Sequence, residues 1–219
     1  VAILGMKGVG KTSLSVKFCR GGIGKTDLSL KFARTMQHEF DYVFWRSLLN
    51  APPMTEVLAE LLKFLSNQQR SDLADTVEGQ IAQVLQYLKN YRCLVMLDNT
   101  EAILQREDNA GQCRTGYEAY GRFFRTIGDV PHQSCLLLTS REKPREIADL
   151  EGMTRPVRIL ELGGLHEVDG RKIFTAFGEF DGTEKEWQEL INFYNGNPLA
   201  LELAAKHISQ VFFGSIAEF

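Results

Sequence analysis

The feature that most constrains this chain is a short apolar run, VAIL (residues 1–4), that leads without a break into GMKGVGKT (residues 5–12). An apolar strand, a glycine-rich turn and a Lys-Thr pair opening a helix are together the sequence form of a phosphate-binding loop. Gly5 and Gly10 stand at the two required glycine positions, and Gly8 adds a third. They let the backbone come close to a phosphate, while the first N–H groups of the helix add partial positive charge. Lys11 is placed to bridge the β- and γ-phosphates of a nucleotide, and Thr12 to bind Mg2+. A glycine-rich turn with a chance lysine is the competing explanation, but it leaves the ordered strand and helix on either side unexplained.

Fourteen residues later the loop recurs as GGIGKT (21–26), with Cys19 where its first glycine would stand. Residues 8–20 and 22–34 are identical at nine of thirteen positions. Two copies of so short a stretch cannot build a solenoid, so the pattern reads as a local duplication inside one loop–helix unit. Two arrangements compete. In one, Lys11 is the phosphate lysine and the second copy lengthens or interrupts the following helix. In the other, SLSVKF (13–18) becomes a makeshift first strand, and Gly22, Gly24, Lys25 and Thr26 form the working loop. A central strand of that kind would bury Lys17 without a partner, which costs several kcal/mol. The patterning therefore favours Lys11, although the internal Gly21-Gly22 pair then costs roughly 2 kcal/mol of helix propensity and breaks the helix.

Beyond the loops, apolar runs at 42–48, 93–98, 134–140 and 157–162 alternate with helical patterns. That alternation predicts an α/β fold with a parallel sheet. Val57, Leu58, Leu61, Leu62 and Leu65 share one helical face, and Ile81, Val84, Leu85 and Leu88 another. Capping boxes are expected at Asp75–Glu78 and Thr183–Glu186, with Asn197 capping a helix that Pro198 opens. Residues 105–116 read as a polar loop before a helix at 117–127. After Gly163-Gly164 only helical patterns remain, which places a boundary between an α/β core (1–163) and a helical appendix (164–219).

The run RCLVMLDN (92–99) carries Asp98 to the C-terminal edge of the sheet, where a carboxylate can hold Mg2+ through water. Asn99 follows where a hydrolytic ATPase often has a second acid, so fast turnover is not indicated. Glu101 could polarise water, but a solvated surface position is the simpler expectation. The run CLLLTSREKP (135–144) ends in Arg141, which can reach a γ-phosphate from that edge. Trp45 and Trp187 are expected in the core, and the four histidines show no metal-ligand spacing.

Composition excludes several classes. A net charge of −3 argues against a nucleic-acid or anionic-membrane surface. No apolar run approaches the roughly 18 residues of a membrane span, and no signal peptide opens the chain. Four cysteines without paired spacing fit a cytoplasmic protein. Val1 opens inside a strand and Phe219 closes without a polar tail, the expectation for a module within a longer chain.

The segments GMKGVGKT, FDYVFWRSL (40–48), CLVMLDN (93–99), CLLLTSR (135–141) and GNPLALELAA (196–205) follow the order found in NB-ARC domains. These are signalling P-loop ATPases of the STAND class, and the resemblance runs over essentially the whole chain. QHEFDYVFWRSLLNAPP (37–53) with HQSCLLLTSREKP (132–144) is most similar to bacterial, above all cyanobacterial, members with WD-repeat tails. The resemblance implies a P-loop NTPase sheet of five parallel strands, 5-1-4-3-2 in type and flanked by helices. It makes residues 164–219 a helical ARC1 subdomain. It also implies ADP or ATP with Mg2+ as cofactors, Arg141 as sensor arginine, and Pro198 and Leu199 in the base pocket. The implied partners are other domains of the parent chain, a winged helix and repeats beyond Phe219, and further copies of the protein in an ATP-bound oligomer. The expected function is a nucleotide-dependent switch with slow or no hydrolysis. An ordinary P-loop ATPase or kinase, and a scaffold whose duplicated loop no longer binds nucleotide, are the alternatives. Two departures from the family pattern are the doubled loop and Lys7, which stands where a small residue is usual.

Overall fold

The computed structural model describes residues 2–4, 24–68, 73–105, 110–152 and 156–219. In chain order the elements are β1 (Ala2–Leu4), α1 (Lys25–Met36), β2 (Tyr42–Ser47), α2 (Met54–Leu65), α3 (Val77–Asn90), β3 (Cys93–Asp98), α4 (Glu118–Asp129), β4 (Cys135–Ser140), α5 (Arg145–Leu150), β5 (Ile159–Glu161), α6 (Glu167–Phe174), α7 (Glu184–Phe193) and α8 (Pro198–Val211). Strands and helices alternate up to β5 and only helices follow, as the patterning predicts. By compactness the described residues form two units, one of 2–4 and 29–160, the other of 24–28 and 161–219.

The first unit is built on a parallel sheet in which β2, β3 and β4 are its long strands. The lateral order is β2-β3-β4-β1-β5, with β1 also parallel to β4. Parallel neighbours need crossovers of a dozen residues or more, and α2 with α3, then α4, occupy those connections. All six residues of β3 are buried, because helices cover both faces of a central parallel strand. In β2, next to β3 alone, burial is only partial, and Trp45 is 44% exposed. The expectation that Trp45 is a core residue is thus corrected by its strand's place in the sheet; Trp187 is buried as expected.

The predicted faces of α2 and α3 meet in one core with the strands and α4. Val57, Leu58, Leu61, Leu62 and Leu65 are all buried, and Leu85 is half-buried against the same cluster. Each fully buried leucine contributes about 1.5–3 kcal/mol relative to exposure. Two tyrosines of the α4 region pin the turn after β2: Tyr117 Oη donates to the Ala51 carbonyl at 2.8 Å and Tyr120 Oη to that of Pro52 at 2.8 Å. The cap of α3 is Thr76 rather than the expected Asp75: its Oγ1 accepts from Gly79 N–H at 3.1 Å. With Gly79 at the third helical position, no side chain is there to return the bond. The loop expected at 105–116 is closed at its base, where Gln105 N–H donates to the Gln112 carbonyl at 2.7 Å.

In the second unit α6, α7 and α8 pack around Phe174, Trp187, Ile191, Leu201 and Ile208. Phe174 meets Trp187 edge to face, with ring centroids 5.0 Å apart. The Thr183–Glu186 capping box is present, and Asn197 caps α8 through Oδ1, which accepts from Leu199 N–H at 3.1 Å and Ala200 N–H at 3.2 Å. Ahead of that cap the chain turns tightly: Gly196 has φ of +61°, and a Cβ there would lie 2.3 Å from the Leu165 carbonyl oxygen. A Cβ on Gly164 would meet the Asn195 carbonyl oxygen at 1.9 Å. Only glycine fits either place.

Candidate functional site

The C-terminal ends of β3 and β4 lie side by side, and there the buried polar groups of the sheet collect. Ligands of open parallel sheets bind at this edge, because loops diverge there and helix N-termini point towards it. Asp98, the last residue of β3, is only 3% exposed, and Thr139 and Ser140 at the end of β4 are 1% and 0% exposed.

A buried carboxylate needs donors, and Asp98 has them from two directions. Thr139 Oγ1 donates to Asp98 Oδ1, and Asn99 Nδ2 donates to Oδ2 at 2.9 Å. Thr139 Oγ1 in turn accepts from Asn99 N–H at 3.1 Å, while Asn99 Nδ2 also reaches Ser47 Oγ at 3.1 Å. The ends of β2, β3 and β4 are thereby tied through one asparagine. Asn99 holds a left-handed backbone with φ of +60°, a conformation that asparagine tolerates better than most residues. That kink starts a short helical turn, Thr100–Ile103, which carries Glu101.

Glu101 is not the solvated surface acid that the sequence suggests. Its side chain is 15% exposed, and its Oε1 lies 3.0 Å from Nε of Arg141, the first residue after β4. The other oxygen, Oε2, is buried and has no hydrogen-bond partner among the described residues. Arg141 is far more open, at 46% of its side chain.

Elsewhere in the first unit, Gly121 of α4 stands against the Glu146 carboxylate, where a Cβ would come within 2.4 Å of Oε1. Cys113 has its thiol pushed up to about 11, chiefly by burial and secondarily by the charge of Glu146. Burial likewise raises Cys93 and Cys135 above the usual thiol value. All three described cysteines are free thiols.

The structure thus brings together Asp98, Glu101 and Arg141 on one sheet edge. Of the second loop, Gly24 has φ of +129° and Lys25 and Thr26 are the first residues of α1, with Leu28 N–H donating to the Gly24 carbonyl at 2.8 Å. The whole first loop, Gly5, Gly8, Gly10, Lys11 and Thr12, lies outside the described residues, as does Gly22. Pro198 is buried at the first position of α8 and Leu199 is half-buried beside it, both in the second unit. Sequence reasoning missed the roles of Ser47, Asn99 and Thr139. The available signal was a hydroxyl or amide residue at the end of each strand flanking Asp98.

A cavity of about 450 Å³ under Phe124, Ile127, Leu136, Leu138, Ile147 and Val157 has none of Asp98, Glu101 or Arg141 among its lining residues. It starts at the opposite, N-terminal end of β4 and is not this site. Among the described residues no helix is long and apolar enough to cross a membrane.

The class of fold is that of STAND ATPases. The chain is similar in structure to a Signal Transduction ATPase with Numerous Domains from Pyrococcus horikoshii that carries a tetratricopeptide repeat sensor. The TM-score is 0.61 at 16% identity, over 93% of this chain and 27% of that one. The NB-ARC domain model matches residues 18–115. In sequence the chain is 45% identical, over all 219 residues, to an uncharacterized WD repeat-containing protein of the cyanobacterium Nostoc. It spans 17% of that relative's length. The three findings agree with the resemblance drawn from the sequence.

Proposed function

We propose that this chain is the nucleotide-binding module of a STAND-type signalling protein, in which ADP holds one conformation and ATP with Mg2+ favours another. Each nucleotide acts only through its different affinity for the two states. The observation that carries this reading is Asp98, a carboxylate at the end of a wholly buried apolar strand and held there by a hydroxyl of the neighbouring strand. The strand order supports a complete P-loop NTPase sheet of the five-stranded 5-1-4-3-2 type. The proposed domain boundary is 163–164; the division after Leu160 supports it, while residues 24–28 group with the second unit.

Two observations support the second glycine-rich copy as the phosphate loop. The NB-ARC match begins at residue 18, so it takes in Gly22 to Thr26 and leaves out Gly5 to Thr12. Helix α1 also starts at Lys25, directly behind a glycine with positive φ, the local form in which a phosphate loop ends. On this reading Lys25 is the phosphate lysine; Lys11 is the alternative, supported by strand patterning and by the pairing of β1 (Ala2–Leu4), which precedes the first loop, with β4.

Mg2+ is the implied cation: Asp98 would offer it a carboxylate oxygen, and the threonine of the working loop, Thr26 or Thr12, would offer a hydroxyl. When bound, Mg2+ neutralises phosphate charge. Arg141 reports the γ-phosphate, and Pro198 with Leu199 contacts the base. Asn99 stands where a second acid would activate water, and it donates to Asp98, so hydrolysis is slow or absent. The reading includes a cytoplasmic location, further domains of the parent chain as partners, and oligomerisation in the ATP form.

Titration of a fluorescent ADP analogue against the parent protein, Lys11→Ala and Lys25→Ala tests this. Loss with Lys25→Ala alone is expected. Loss with Lys11→Ala alone restores the first loop, and no binding by the parent leaves a scaffold. Steady-state turnover of tens per second would make the protein an ordinary ATPase.

A further inference from the structure

We propose that Glu101 is a positioning residue for Arg141: it holds the guanidinium by Nε so that the terminal amino edge faces an anion at the end of β4. This deepens the nucleotide-switch reading and rests on it. The geometry is asymmetric. Arg141 is engaged at Nε, the guanidinium nitrogen nearest its stem, at 3.0 Å from Glu101 Oε1. That leaves the two terminal nitrogens as the outer edge of a planar fork, the edge that matches a phosphate. The partner carboxylate is the covered member of the pair, 15% exposed against 46% for the arginine. It rides on the short turn Thr100–Ile103, whose start Asn99 fixes to Thr139 and Ser47. Glu101 is therefore placed by the same network that places Asp98.

The second oxygen of Glu101 points to function over stability. Oε2 is buried and lacks a hydrogen-bond partner among the described residues. A covered carboxylate satisfied on one side only is a cost to the fold, and such groups call for another explanation. Orientation of the neighbouring arginine supplies it. A flexible, half-exposed arginine spreads over many rotamers, whereas one held at Nε presents its fork in a single direction, so less entropy is lost when phosphate arrives.

The test compares ADP with a slowly hydrolysed ATP analogue, both with Mg2+, by calorimetry on the parent chain and on Glu101→Ala, Glu101→Gln, Arg141→Ala and the double alanine variant. Glu101→Ala should weaken the ATP analogue about 5- to 10-fold relative to ADP. Arg141→Ala should do so at least as strongly, and the double variant should be no worse than Arg141→Ala. Glu101→Gln, which keeps the side chain's length and an oxygen beside Nε, should restore most of the discrimination. Thermal unfolding of Glu101→Ala should stay at the parent value or rise, which separates orientation from a structural role. Equal weakening of both nucleotides, full additivity in the double variant, or tighter binding of the analogue by Glu101→Ala would overturn the assignment. A parent chain that binds neither nucleotide sinks the nucleotide reading itself. One that binds ADP and shows no Glu101 effect sinks only this inference.

Discussion

Asp98 and Glu101 are three residues apart and end on the same sheet edge, yet they are held in different ways. Asp98 is 3% exposed and accepts from Thr139 and Asn99, each fixed at the end of a strand or in a defined turn. Glu101 has one oxygen on a half-exposed arginine, and the other meets no hydrogen-bond partner among the described residues. Burial with full satisfaction makes a rigid group that is expensive to disturb, because a removed donor leaves a buried charge unpaired. Partial satisfaction against an exposed partner makes a group that can be changed cheaply in stability and heavily in function. A fixed metal ligand suits the first environment, and a ligand-responsive contact suits the second.

The largest effect should come from Thr139→Val, which keeps the shape and removes both the donor to Asp98 and the acceptor for Asn99 N–H. A loss of about 3 kcal/mol is expected, read from the urea midpoint at unchanged slope. A loss under about 1 kcal/mol would erase the contrast between the two carboxylates. Asn99→Ala should cost about 1–2 kcal/mol, partly from forcing alanine to a left-handed backbone. Asn99→Gly should recover that part, and equal losses in the two variants would assign the whole effect to the side-chain bonds. Arg141→Gln should move stability by no more than about 1 kcal/mol, since it breaks an ion pair with one partner largely in solvent. A greater loss would mean that Glu101 depends on Arg141 as Asp98 depends on Thr139.

The smallest effect concerns Cys113, a half-buried thiol that feels the charge of Glu146. Its thiol is raised from the usual value near 9.0 to about 11 in the folded protein. Between those values the unfolded chain has lost the proton that the folded one keeps, so stability is intact below pH 9 and falls as pH rises towards 11. Cys113→Ser should flatten this stretch of the stability–pH curve, measured as urea midpoints from pH 8 upward. Parallel curves for the two proteins would place the thiol in a more solvated setting.

Much of the scaffold was legible in the sequence. The run CLVMLD appears as β3 at the predicted residues, because a strand covered on both faces has no polar alternation to blur it. The α2 face and the Thr183–Glu186 box were legible because period and cap are both settled within a few residues. Asp98 at the end of its strand was readable for the same reason. The partners of Asp98 were not. Ser47 pairs in register with Asp98, and Thr139 comes from a strand some forty positions on; no local pattern states either fact. The cap of α3 went to Thr76 because one residue's backbone, and not the composition of the turn, decides which oxygen meets the free N–H.

What this chain's sequence determined by itself is local: apolar periods, helix starts, glycines where no side chain fits, and an acid at the end of a buried run. Short-range sterics and the removal of apolar surface from water decide those features. The tertiary structure alone decided which carboxylate is enclosed and which is left half-satisfied beside an arginine. Strand order and register bring Ser47, Thr139 and Arg141 to that edge, and they arise from contacts between residues forty to fifty positions apart.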